Sequence, residues 1–150
     1  MSNTLRTDRH ALITGASSGI GAEIAREYAR RGKPLVLTAR RLDRLEALAA
    51  ELRASVDVQT IACDLADPGA PAALYAECAA RGLRIDTLVN NAGYGVPGRY
   101  LGKDWATHAV SLQVLLIAVC ELTHRFLPAM EADAHGRVLN VASLAGLVPP

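Results

Sequence analysis

Apolar residues in this chain gather in five short runs, and the first four give way to stretches with helical spacing. His10–Thr14 and residues 34–39, 56–63, 85–89 and 138–141 are such runs. Residues 34–39 are apolar at nearly every position, rather than at alternate ones, which suits a parallel strand covered by helices on both faces. Between the first two runs, Ile20, Ile24 and Tyr28 share one face of a helix predicted over residues 20–31, which Gly32 stops. Between the next two, Leu42, Leu45, Ala49 and Leu52 recur at helical spacing. Asp67 and Pro68 read as an N-cap and a first-turn proline, opening a region whose helix covers residues 71–81 and ends at Gly82. Residues 94–103, rich in glycine and proline, read as the one long loop. A long apolar helix then covers much of residues 104–131, bent or ended near Pro128.

Strands that alternate with helices predict an α/β fold: a doubly wound parallel sheet of five strands with right-handed crossovers, in a single domain. Ligands in such sheets sit at the carboxyl ends of the strands, where the strand order reverses. Gly15, Arg40, Asp64, Asn91 and Ser143 each follow a different predicted strand, as one shared cleft would require. His10 leads into the first strand without a partner motif, so its expected role is structural.

Composition narrows the function more by exclusion than by indication. With 150 residues, 51% hydrophobic and 21% charged, and a formal net charge of +1, the chain reads as an ordinary soluble domain and not as a nucleic-acid binder. Cys63, Cys78 and Cys120 are odd in number, scattered and without metal-ligand spacing, which points to buried reduced thiols and no metal site. The polar first residues lack the apolar core of a signal peptide. The most apolar run, residues 109–122, is broken by Ser111, Gln113 and Glu121 and is too short to span a bilayer, so a cytoplasmic protein with no membrane partner is expected.

The chemistry concentrates in residues 14–21, Thr-Gly-Ala-Ser-Ser-Gly-Ile-Gly, between the first strand and the first helix. Gly15, Gly19 and Gly21 permit a tight turn, close approach of a phosphate and packing of the helix on the strand. Free N–H groups and the positive end of the helix dipole, assisted by Ser17 and Ser18, suit a diphosphate, with Ile20 opening the helix. The spacing lacks the Gly-Lys-Ser/Thr ending of a P-loop, which excludes that class of nucleotide site. After the second strand stands Arg40-Arg41, where a fold selecting NAD offers a carboxylate. The arginine fork fits a 2'-phosphate, so NADP(H) is favoured over NAD(H), through Arg40 with Arg41 or Ser17 assisting. For Arg41, a solvated helix start explains the residue equally well.

The string at residues 14–21 resembles the cofactor loop of the short-chain dehydrogenase/reductase family, and further matches follow in order. Asp64-Leu65 is similar to the family's acidic site beside the adenine ring, although capping a turn also accounts for an aspartate. Asn90-Asn91-Ala92-Gly93 matches the family's NNAG signature, where the amides tie strands together and the small residues let the cofactor approach. Val114 aligns with a cofactor-side valine of the long helix. Residues 136–143 resemble the fifth strand and catalytic serine, which makes Ser143 the catalytic candidate, holding a substrate carbonyl oxygen. The resemblance implies hydride transfer between a nicotinamide and a small-molecule carbonyl or alcohol, with a Tyr-x-x-x-Lys pair handling the proton.

Two departures stand out. No tyrosine among these residues has a lysine four positions on: Tyr28, Tyr75, Tyr94 and Tyr100 are followed there by Gly32, Ala79, Gly98 and Asp104. Leu115 occupies the place of a family asparagine that supports a proton path, and its expected role is core packing. The chain therefore reads as the N-terminal, cofactor-binding portion of such an enzyme, truncated after the fifth strand and inactive by itself. The alternative is a noncatalytic NADP(H)-binding or pairing protein. Self-association through the long apolar helix is expected in either case, and residues 94–100 are expected to border the substrate pocket.

Overall fold

A computed structural model describes residues 7–143. Its elements are β1 (His10–Thr14), α1 (Gly19–Arg30), β2 (Leu35–Ala39), α2 (Leu42–Leu52), β3 (Val58–Ala62), α3 (Ala70–Ala80), β4 (Ile85–Asn90), α4 (Trp105–Ala132) and β5 (Arg137–Asn140). The five strands form one parallel sheet in the order β3-β2-β1-β4-β5. The fold is Rossmann-like. The order reverses between β1 and β4, and a crevice opens at their carboxyl ends.

Apolar residues at successive strand positions are explained by what covers each face. Ala11, Ile13, Leu35, Leu37 and Val89 pack with α1 and α2, whereas Leu12, Val36 and Leu88, one residue out of phase, pack with α3 and α4. Both cores depend on the period-two alternation of a strand, so a one-residue slip in register would exchange their contents.

Several local expectations change. The stripe of α1 that reaches the core is Gly21, Ala22, Ala25 and Ala29, and Ile20 is 62% exposed, with Ile24 and Tyr28 only flanking. Small residues let the helix lie close to the sheet, which pushes the bulkier ones aside. Asp67 caps a turn, its Oδ1 accepting from the Gly69 N–H at 2.9 Å, while Gly69 precedes α3 and Pro71 stands in its first turn. Pro128 lies within α4, which runs on to Ala132. A proline there removes one hydrogen bond near the helix end. The departure from α geometry falls earlier, in a π-helical turn at Gln113–Ile117.

The helix also exceeds the apolar run that suggested it. At 28 residues, with a mean hydropathy of 1.5 over its most apolar window, α4 is long and apolar enough by length and composition to cross a membrane. In this fold Ala118, Leu122, Phe126 and Met130 are buried against the sheet and α3. Cys78 is buried and Cys63 half-buried, but Cys120 on α4 is exposed, so the expectation of three buried thiols holds for neither Cys63 nor Cys120 in full.

Charged groups inside the fold are paired. Lys33 Nζ lies 2.6 Å from Asp86 Oδ1, with side-chain exposures of 0% and 3%. His10 Nε2 meets Asp57 Oδ2 at 3.0 Å, joining the start of β1 to the residue before β3, a structural role as expected.

Candidate active site

The crevice at the strand ends is a cleft of about 810 Å³. Small-ligand sites commonly span about 300–1,000 Å³. Its floor begins where β1 stops. Gly15 and Gly19 adopt φ of +66° and +59°, the left-handed region that glycine tolerates best. A Cβ on Gly15 would stand 2.8 Å from the Ala92 Cα, and one on Gly21 would stand 2.6 Å from the Gly15 oxygen. A Cβ on Gly19 would meet nothing within 4 Å. Gly15 and Gly21 thus serve close packing, while Gly19 serves the turn itself.

Thr14, which sequence reasoning passed over, joins this loop to the next strand. Its hydroxyl donates to the Val89 carbonyl at 3.2 Å and accepts from the N–H groups of Asn91 and Ala92, both at 2.9 Å. Asn91 Nδ2 returns the link by donating to the Thr14 carbonyl at 2.9 Å and the Gly15 carbonyl at 3.4 Å. Asn90 Nδ2 reaches the other way, to Asn140 on β5 at 2.9 Å and Thr123 on α4 at 3.2 Å. The two asparagines therefore brace the ends of three neighbouring strands. A threonine as the last residue of a strand before a glycine turn is the signal that was available.

Ser18 precedes α1 in extended conformation without a side-chain cap, and no acidic residue stands in the first turn of the helix. The positive helix end is thus left for an external anion. Arg41 Nη2 donates to Ser17 Oγ at 3.0 Å and to Ser18 Oγ at 3.1 Å, which draws the start of α2 toward the loop. Arg40 is exposed on the wall of the same cleft and makes neither an ion pair nor a hydrogen bond among the described residues. The donor set fits a phosphorylated dinucleotide: open space at the turn, an uncompensated helix end and a free guanidinium beside it.

The remaining candidates meet at this cleft. Ile20, Asp64, Leu65, Asn91, Ala92, Gly93, Val114 and Ser143 line it, with Gly15, Ser17, Ser18, Arg40 and Arg41. Gly19 and Gly21 do not, the first lying exposed beside it and the second buried. Asp64 Oδ1 accepts from the Ala66 N–H at 3.1 Å, so the aspartate does shape a turn, and its carboxylate also borders the cleft. Burial pushes the neighbouring Cys63 thiol up to about 11, which keeps it protonated and inert near neutrality.

Leu115 is where expectation and structure part most clearly. It is 46% exposed and not in the core, sits in the π-helical turn, and lines the cleft with Cδ2 3.0 Å from where a Gly93 Cβ would stand. Ser111, Tyr94, Tyr100, Lys103 and His108 also border the cleft, extending the expected border from residues 94–100 onto α4.

Comparison with known proteins agrees with this geometry. The model of the short chain dehydrogenase family matches residues 9–150. The chain is 35% identical over 145 residues to a very-long-chain 3-oxoacyl-CoA reductase of Danio rerio, covering 93% of this chain and 45% of that protein. It is 37% identical over 142 residues to a sulfoacetaldehyde reductase of Chromohalobacter salexigens, covering 91% of this chain and 55% of that one. The chain spans about half the length of these curated relatives. Among solved structures it is similar to a short-chain dehydrogenase from Sphingobium yanoikuyae in complex with NADPH, with a TM-score of 0.87 and 37% identity, covering 94% of this chain and 56% of that one. A parallel sheet reversing at a glycine turn, the braced Asn90-Asn91 pair and the family match over residues 9–150 lead to one conclusion: the chain belongs to the short-chain dehydrogenase family of oxidoreductases.

Proposed function

We propose that these residues form the cofactor-binding domain of an oxidoreductase that uses NADP(H) in preference to NAD(H) and acts on a small-molecule carbonyl or alcohol. The observation that carries the reading is Arg40, unpaired at the end of β2 beside a phosphate-shaped turn. When bound, the nicotinamide supplies or accepts a hydride. The loop N–H groups at the start of α1 would hold the diphosphate, and Arg40 would fork onto the 2'-phosphate, with Arg41 sharing its donors between that phosphate and the two serines. Asn91, Ala92 and Gly93 keep the backbone low enough for the cofactor to lie across it. Ser143 would donate its hydroxyl to the substrate oxygen and hold it in place.

A serine hydroxyl is a poor acid near neutrality, so the proton must come from a group outside this set. On this reading the 150 residues bind cofactor but turn over poorly by themselves, in a single cytoplasmic domain whose exposed α4 face favours self-association.

Leu115 supports a second reading, a noncatalytic protein that binds NADP(H) or pairs with another chain, because an apolar side chain on the cleft wall neither donates nor accepts a proton. A reading frame that continues past residue 150 into Tyr-x-x-x-Lys favours the enzyme, and a stop codon favours the second reading.

The direct test of the site is an NMR titration of the isotopically labelled chain with NADPH. The amide signals of Gly15, Ser17, Ser18 and Gly19, the guanidinium signal of Arg40 and the Asn91 side-chain amide should move together. Shifts confined to surfaces away from these residues would overturn the assignment.

A further inference from the structure

The cleft carries a second group of cations, contributed by the segment after β4 rather than after β2, which the NADP(H) reading does not use. They surround the short 3-10 turn Tyr100–Gly102, with Arg99 immediately before it and Lys103 immediately after. His108, one turn into α4, stacks on Tyr100 with ring centroids 4.2 Å apart and planes at 20°, and its Nε2 lies 2.9 Å from the Tyr100 carbonyl oxygen. Arg99, Tyr100, Lys103 and His108 all line the cleft.

Six arginines elsewhere are neutralised locally. Arg26, Arg30, Arg31, Arg53, Arg81 and Arg125 each meet a glutamate within 3.0 Å. Arg99 and Lys103 meet no carboxylate among the described residues. Between Thr87 and Cys120, Asp104 is the only carboxylate in the sequence. That one is committed, its Oδ1 accepting from the Thr107 N–H at 2.9 Å and the Thr107 hydroxyl at 2.5 Å to cap α4. This wall of the cleft therefore keeps its positive charge, and the stacked rings fix the turn that presents it. Asp64 lines the cleft too, following β3 beside the Arg40 and Arg41 side.

We infer that the substrate is an anionic carbonyl compound or alcohol, with a carboxylate or sulfonate that Arg99 and Lys103 hold on the wall of the cleft that follows β4. The inference rests on the NADP(H) reading of the cleft and adds the substrate's charge to it. Two cations flanking one turn would recruit such a group from solution and fix which end of the molecule enters first. The contact is open to water, so it should weaken as salt is added.

The test uses the chain saturated with NADPH and a matched pair of ligands, 4-oxopentanoate and pentan-2-one, with binding followed through the Tyr100 and His108 ring signals. The keto acid should bind at least tenfold more tightly than the neutral ketone at low salt. In the double variant Arg99→Gln, Lys103→Gln that ratio should fall to near one, with NADPH affinity unchanged. Equal affinity for the two ligands in the unmodified chain, absence of keto-acid binding, or an unchanged ratio in the double variant would each overturn the inference while leaving the cofactor reading intact. Failure of NADPH itself to bind would instead remove the cofactor reading, and this inference with it.

Discussion

At the scale of single residues, Thr14 and Arg40 do opposite kinds of work. Thr14 is 1% exposed, and its one hydroxyl serves three backbone groups that join β1 to the end of β4. Thr14→Val keeps the shape and strands two N–H groups, which should cost about 1–3 kcal/mol of stability. Thr14→Ser should recover most of it. Urea denaturation of the three proteins measures both, and a valine variant as stable as the parent would show that water replaces the hydroxyl. Arg40 has no structural task, so Arg40→Asp should leave stability unchanged and weaken NADPH binding by about 1.5–3 kcal/mol, roughly one to two decades. A fluorescence titration reads the change directly. The sequence singled out Arg40 by its residue type after β2, and the structure places it on the cleft wall. The same sequence left Thr14 hidden, since a strand-end hydroxyl declares no partner until the neighbouring strand is in place, and it misjudged Leu115, whose side chain lies half-exposed on the cleft wall rather than in the core.

At the scale of elements, the strands were legible to within a residue or two because each centres on a short apolar-rich stretch too brief for a helix. Helices were legible in extent but less so in orientation. The periodicity of α1 placed Ile20 on the buried face, whereas the close approach of the helix to the sheet selects its alanines. Approach distance is a tertiary quantity that spacing does not encode. The same principle governs the link from α4 to β5, where a Cβ on Gly136 would stand 2.4 Å from the Met130 Cβ. Gly136→Ala should therefore overpack this corner and cost about 1–3 kcal/mol. Thermal melts should show the loss. If Gly136→Ala melts with the parent, the link has slack that the packing does not suggest.

At the scale of the whole molecule, stability rests on the two sheet faces, with a layer of surface ion pairs whose effect is set by pH. Hydrogen bonds from Arg30, and then from Arg31, hold the Glu27 carboxyl at about 2, below its ordinary 4.5. Arg26 likewise lowers Glu51, and Thr60 followed by Arg53 lowers Glu46. A carboxylate with a depressed folded value contributes stability that is complete above its unfolded value and lost as pH falls through the folded one. The urea midpoint should therefore decline as pH drops from 4.5 toward 2, and decline less steeply in Glu27→Gln. A midpoint that stays level over that range would show that these pairs contribute nothing in solution.

The cleft is the other whole-molecule property, since five strands and their connecting loops must meet to form it, and its central claim is selection of a 2'-phosphate. The most direct measurement is a side-by-side fluorescence titration of NADPH and NADH into the unmodified chain at fixed, moderate ionic strength. The account predicts that NADPH binds more tightly by about one to two decades. Equal affinity for the two, or tighter binding of NADH, would contradict it.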